Sequence, residues 1–161
     1  LEQNGAYDVV FCGETTAIGG TDARKILKRR AGALAGRLVF FDPLPHNSLY
    51  SLIKKAEFVI LPSLMENLSN ACIEAMYFGK VVVGTDGASF EQLIIDGENG
   101  LLCRINDAQS LLDKMNEAAS MDDAQREAMG ALARKRVDRL HPDVAVRKLL
   151  RYYQYVIDHV R

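Results

Sequence analysis

Five short apolar runs do most to limit how this chain can fold. They are YDVVFC at residues 7–12, RLVFF at 37–41, FVIL at 58–61, VVVGT at 81–85 and GLLC at 100–103. Most are rich in Val, Ile, Leu and Phe, and they lack the clean polar alternation of a strand with one wet face. Stretches of helical pattern lie between them, near 22–34, 47–55, 69–78 and 89–96. Two more follow near 108–119 and 124–139, and the chain closes on a helical segment at 143–160. Strands covered on both faces, alternating with helices, are the mark of βαβ units in a parallel sheet. The expected fold is therefore α/β, a doubly wound parallel sheet.

Local punctuation supports these boundaries. Gly79 stands where a helix C-cap glycine belongs. Ser89 with Gln92 three positions on reads as a capping box for the helix at 89–96. The dipeptides Asp96-Gly97 and Asn99-Gly100 are turn signals leading into GLLC, and Pro142 separates the last two helices. There is no internal repeat and no low-complexity tract. At 161 residues the length fits one domain able to bury a core. A net charge of −1 leaves no broad basic footprint for nucleic acid. No run is long and apolar enough to span a bilayer, and nothing reads as a secretion signal. The three cysteines, Cys12, Cys72 and Cys103, lack CxxC spacing and sit among apolar neighbours. They are expected to be buried free thiols in a reducing cytoplasm.

The stretch 62–85, PSLMENLSNACIEAMYFGKVVVGT, carries two carboxylates where a core has no use for them. At about 100° per residue, Leu68, Cys72, Ala75, Met76 and Gly79 form one apolar stripe that must face the sheet. Asn70, Glu74 and Tyr77 line the other side. A helix glutamate on such a face is ordinarily just solvated. Here the helix follows the C-terminal end of a buried strand, the edge where open α/β sheets bind ligands. The loop at 62–68 carries Glu66 over the same edge. The helix N-terminus offers backbone N–H groups around Leu68, Ser69 and Asn70 and the positive end of its dipole, both suited to a phosphate. Carboxylates accept paired hydrogen bonds from vicinal diols. A ligand with hydroxyls and phosphate together, such as a nucleotide-sugar, fits that set.

Residues 61–102 resemble the donor-binding core of the group 1 retaining glycosyltransferases, the family that includes glycogen and sucrose synthases. The resemblance rests on Pro62-Ser63, the Glu-x7-Glu pair Glu66 and Glu74, Glu74-Ala75-Met76, Gly79, Val81–Val83 and the following GASFEQLIIDGENGLL. Looser agreement in element order covers nearly the whole chain. What it implies is a GT-B architecture, two Rossmann-like domains facing across a cleft, with this chain as the C-terminal, donor-binding, three-layer domain. Glu66 would then contact the donor sugar's hydroxyls. The Leu68, Ser69 and Asn70 amides would sit beside the sugar and diphosphate. Glu74 would hold the ribose hydroxyls, and the loop from Phe41 to Leu44 would lie against the base.

The chain departs from the family pattern at Leu68-Ser69, where Phe-Gly is frequent, and at Lys80, where proline is usual. The Arg and Lys that neutralise the diphosphate belong to a strand and helix ahead of a segment like YDVVFCGE, and only six residues precede it here. The chain opens on Leu1. It is therefore expected to be a piece lacking the N-terminal acceptor domain, with its catalytic residues, and the first strand of this domain. Alone it should bind donor weakly and transfer little. The acceptor implied is a saccharide or a lipid-linked saccharide, in polysaccharide biosynthesis in the cytoplasm, at the inner face of the membrane. No D-x-D occurs, so no metal or other cofactor is expected.

Other chemistries find no support. CGETTAIGGTD does not contain G-x-G-x-x-G, and no P-loop motif occurs. The three histidines are scattered, too far apart for a zinc site. His46 reads as a loop histidine near a helix start or a ligand contact, Ser63 as a serine without a His–Asp partner pattern, and Glu91 equally as a first-turn glutamate suited to a helix dipole or a residue approaching the donor cleft. The basic run ARKRVDR at 133–139 is a solvated face or a peripheral contact for acidic lipid head groups. Val146, Leu149, Leu150, Tyr153, Ile157 and Val160 make a stripe expected to pack on this domain or on an absent one. The rival to an enzyme domain is a non-catalytic Rossmann-like module for interaction or regulation, which would have no physical need for the Glu66 and Glu74 pair.

Overall fold

Every apolar run becomes a strand in the computed structural model, which describes residues 7–159. The chain forms two units, Leu1–Leu49 and Tyr50–Arg161. In the first, β1 (Val9–Cys12) is followed by a hairpin of two-residue strands, β2 (Ala17–Ile18) and β3 (Thr21–Asp22). Gly19 and Gly20 turn it with φ of 57° and 77°, values that favour glycine. Strands this short leave no periodic trace, so sequence patterning misses them. Helix α1 (Ala23–Ala31) starts on Asp22, whose side chain accepts from the Arg24 amide at 2.7 Å. That bond holds the Asp22 carboxyl below its ordinary pKa. The helix expected to reach residue 34 stops at Gly32, at φ 55°, and a 3-10 segment (Gly32–Arg37) completes the connection. Strand β4 (Leu38–Phe41) pairs parallel to β1, with Val9 opposite Leu38 and Cys12 opposite Phe41. Helix α2 (His46–Lys55) leads on into the second unit.

There the elements run β5 (Phe58–Leu61), α3 (Asn70–Tyr77), β6 (Val81–Asp86), β7 (Leu101–Arg104), α4 (Ala108–Ser120), α5 (Asp123–Asp138) and α6 (Pro142–His159). The ladder order is β5-β6-β7, all parallel, with Leu61 opposite Gly84 and Val83 opposite Leu101. Successive side chains of β6 point to opposite faces, yet Val81, Val82 and Val83 are all buried. On one face Val81 and Val83 join Leu101 and Ala118, with Phe58, Leu111 and Met129 packed against them. On the other, a Cβ on Gly84 would meet the Phe90 ring at 2.9 Å, so only glycine leaves room for that ring. Both faces are therefore covered, as unalternating valines require. Each buried valine contributes about 1.5–3 kcal/mol.

Two expectations fail here for physical reasons, and another is narrowed. No α-helix forms at 89–96: only Phe90–Gln92 makes a 3-10 turn, and Ser89 lies in the left-handed region at φ 69° with no capping bond from its side chain. Burial of Phe90 and Ile94 against Gly84 takes precedence over a regular helix start. The capping box instead opens α5, between Asp122 and Gln125. Of the two packings expected for the α6 stripe, the one on this domain is not seen among the described residues, since Val146, Leu149, Leu150, Tyr153 and Ile157 are all exposed; Val160 lies outside them. No helix among the described residues is long and apolar enough to cross a membrane.

Cys12 is the second correction. It is exposed, because β1 carries a described ladder on one side only, to β4. Cys72 and Cys103 are buried as expected. Burial, followed by the Glu66 carboxylate, pushes the Cys72 thiol up to about 12. A short maleimide treatment of native protein at pH 7.5 to 8 should add one label, at Cys12, by intact mass. Two or three labels would contradict this burial.

Candidate functional site

Strand β5 ends at Leu61, and the loop 62–69 crosses the C-terminal edge of the β5-β6-β7 ladder before entering α3. The loop can turn there because Pro62 does not extend the strand and Ser69 serves as N-cap. Ser69 is buried, in extended backbone (φ −71°, ψ 107°), and its Oγ accepts from the Cys72 amide at 3.4 Å. Glu66 is half-buried, and Ser63 Oγ donates to its Oε1 at 2.8 Å. Serine 63, which suggests nothing catalytic in sequence, thus orients the first glutamate. Glu66 stands on this loop three residues before the N-cap of α3, and its charge is one cause of the raised Cys72 thiol pKa. The N-terminus of α3 is the end where the helix dipole and unbonded amides favour negative charge and acceptor oxygens.

Within α3, Cys72, Ala75 and Met76 are fully buried, while Asn70 and Tyr77 are exposed and Glu74 half-buried. The division into two faces is as the spacing predicts, with one correction. Leu68 is 45% exposed and does not belong to the buried stripe. The helix begins only at Asn70, so projecting its periodicity back to residue 68 does not hold.

Glu74 takes a hydrogen bond from the Tyr50 hydroxyl at 3.2 Å. Both line a groove of about 280 Å³ whose walls also include Ile73, Tyr77, Phe78, Leu140 and His141. Glu66 is not among its walls; it stands on the loop that leads into α3. Tyr50 was not visible as a site residue, since it lies 24 positions from Glu74 and no helical or strand spacing connects them. Of the residues expected at a base, Phe41 ends β4 and is exposed, and Leu44 is half-buried; both belong to the first unit. Glu91 is exposed on the 3-10 turn, and His46 opens α2.

A parallel ladder with a helix crossing between its strands is Rossmann-like, the fold of the GT-B glycosyltransferases, and this chain has it. The sequence model for glycosyl transferases group 1 matches residues 1–136, and the chain belongs to that family. Among curated proteins it is 30% identical over 131 residues to the phosphatidyl-myo-inositol mannosyltransferase of Mycolicibacterium smegmatis, covering 81% of this chain and 34% of that protein. It is 31% identical over 94 residues to the D-inositol 3-phosphate glycosyltransferase of Corynebacterium diphtheriae, covering 58% of this chain and 22% of that protein. The chain thus spans about a third or less of these relatives. Among solved structures, Anabaena Alr3699/HepE in complex with UDP superposes with a TM-score of 0.76 at 20% identity, over 92% of this chain and 41% of that one.

Proposed function

We propose that this chain is the donor-binding part of a retaining hexosyltransferase that uses a nucleoside diphosphate sugar. The observation carrying this reading is the loop 62–69 at the carboxyl edge of a parallel ladder, where Ser63 orients Glu66 and the buried Ser69 caps α3. Family membership supports it, as does the UDP held by the Anabaena protein of the same fold. Glu66 would accept hydrogen bonds from sugar hydroxyls. The Leu68, Ser69 and Asn70 amides would meet sugar and diphosphate, Glu74 the ribose, and Phe41 to Leu44 the base. Catalysis would be chiefly positioning, with stabilisation of the leaving diphosphate by helix amides and, elsewhere in a longer enzyme, by basic side chains. No metal is required in this scheme. We also assign acceptor binding and the catalytic groups to parts of a longer enzyme, of whose curated relatives this chain spans about a third or less. The acceptor would be a saccharide or lipid-linked saccharide, used in polysaccharide biosynthesis at the cytoplasmic face of a membrane.

Calorimetric titration of UDP, GDP and ADP into the full-length protein tests this. One nucleotide should bind, and Glu74→Ala should weaken it by about tenfold or more, the loss of one or two charge-assisted hydrogen bonds. Flat isotherms at millimolar nucleotide would overturn the reading in favour of a non-catalytic module. An unchanged affinity in Glu74→Ala would remove Glu74 from the site.

A further inference from the structure

Glu74 could reach a ligand in many ways if its side chain were free to rotate, and the surroundings limit that freedom. The Tyr50 hydroxyl, brought from α2, donates to Glu74 Oε1 at 3.2 Å. The Tyr50 ring is held in turn against Phe78, the C-cap residue of the helix that carries Glu74, at 5.1 Å between centroids. Lys54 Nζ covers the Phe78 ring at 5.0 Å, so the aromatic support is itself clamped between α2 and α3. The groove lined by Tyr50 and Glu74 is otherwise largely apolar, with Ile73, Phe78 and Leu140 in its walls. A hydrogen bond to a carboxylate is stronger in such surroundings than in open water.

We infer that Tyr50 is a positioning residue, which fixes the Glu74 carboxylate in the orientation that receives the 2′- and 3′-hydroxyls of a ribonucleotide donor. The inference rests on the proposed donor site. Burial, and then the Glu74 carboxylate, raise the Tyr50 phenol above its ordinary pKa, so it remains a proton donor across the working range. With one carboxylate oxygen oriented by the phenol, the rotamer entropy that a diol would otherwise have to overcome is lost before the ligand arrives. The device acts on discrimination between ribose and deoxyribose, because a 2′-deoxy ligand has no diol to exploit the held carboxylate.

The test compares UDP, GDP and ADP with their 2′-deoxy counterparts on full-length wild-type protein, Tyr50→Phe and Glu74→Ala. Tyr50→Phe keeps the ring packing on Phe78 and removes only the hydroxyl. It should weaken the ribonucleotide about three- to tenfold, the range of one neutral-to-charged hydrogen bond acting through a second group, and leave the deoxynucleotide within about twofold. In the Glu74→Ala background the same change should have no further effect. Equal weakening of both nucleotides by Tyr50→Phe would mean a merely structural role and would overturn the inference, as would unchanged ribonucleotide affinity. Should Glu74→Ala alone lose ribose discrimination while Tyr50→Phe does not, the donor site stands and only the positioning role falls. If Glu74→Ala keeps that discrimination, Glu74 leaves the site and the positioning role falls with it; if no nucleotide binds, the donor reading falls as well.

Discussion

A Gly130→Ala protein will melt well below its parent. Gly130 lies on α5 where that helix crosses the end of α3, and an added Cβ would come within 1.9 Å of the Gly79 carbonyl oxygen and 2.7 Å of its carbon. Both are backbone atoms, so no flexible side chain can swing aside. Gly79 is itself fixed as the residue that ends α3, at φ 68°. The helices must part, loosening the interface that buries Ala133 and Val137. Alanine gains about 1 kcal/mol of helix propensity over glycine. Overpacking of this kind costs about 1–3 kcal/mol when side chains absorb it, and more when backbone must move. The clash wins, with a net loss of about 2 kcal/mol or more. For a domain of this size that is a fall of roughly 5–10 °C in Tm, read by thermal circular dichroism. A Tm at or above that of the parent would show that the two helices do not approach so closely.

The second large effect is on donor use. Glu66→Ala in the full-length protein should lower kcat/KM for its nucleotide-sugar by about a hundredfold or more, roughly 3 kcal/mol of binding and transition-state stabilisation. The loop position and the single described partner, Ser63, mean that Tm should change little. Glu66→Gln keeps an acceptor oxygen but loses the charge, and should fall between the two. Initial rates across a donor concentration series give the answer. A kcat/KM within about twofold of the parent would take Glu66 out of the donor site.

The site was legible in sequence to the extent that it is local. Glu66, Ser69 and Glu74 lie within one loop and two helical turns, so their spacing alone puts one acid at the helix mouth and the other on its outer face. The same holds for Cys72, Ala75 and Met76, whose burial follows from the 3.6-residue period. Signals failed where distant packing decided. Ser89 satisfies a capping pattern, but the demand to bury Phe90 over Gly84 sends its backbone into the left-handed region. Leu68 is one residue too early for the helix whose periodicity it mimics. Cys12 sits among apolar neighbours, yet no described strand lies on the far side of β1 to cover it.

The alternation of unbroken apolar runs with helical stretches was enough to determine a parallel α/β fold. A strand with no polar face has to be covered on both sides, and few architectures do that. The eight-residue interval between Glu66 and Glu74 likewise singled out the loop and helix of the candidate site. Tertiary structure alone decided which side chains hold those acids: Ser63 on the first, and Tyr50, from a separate helix, on the second. It also decided that Gly130 must remain glycine. Contacts between residues far apart in the chain depend on how helices cross and how closely they pack, and no periodicity along one segment carries that information.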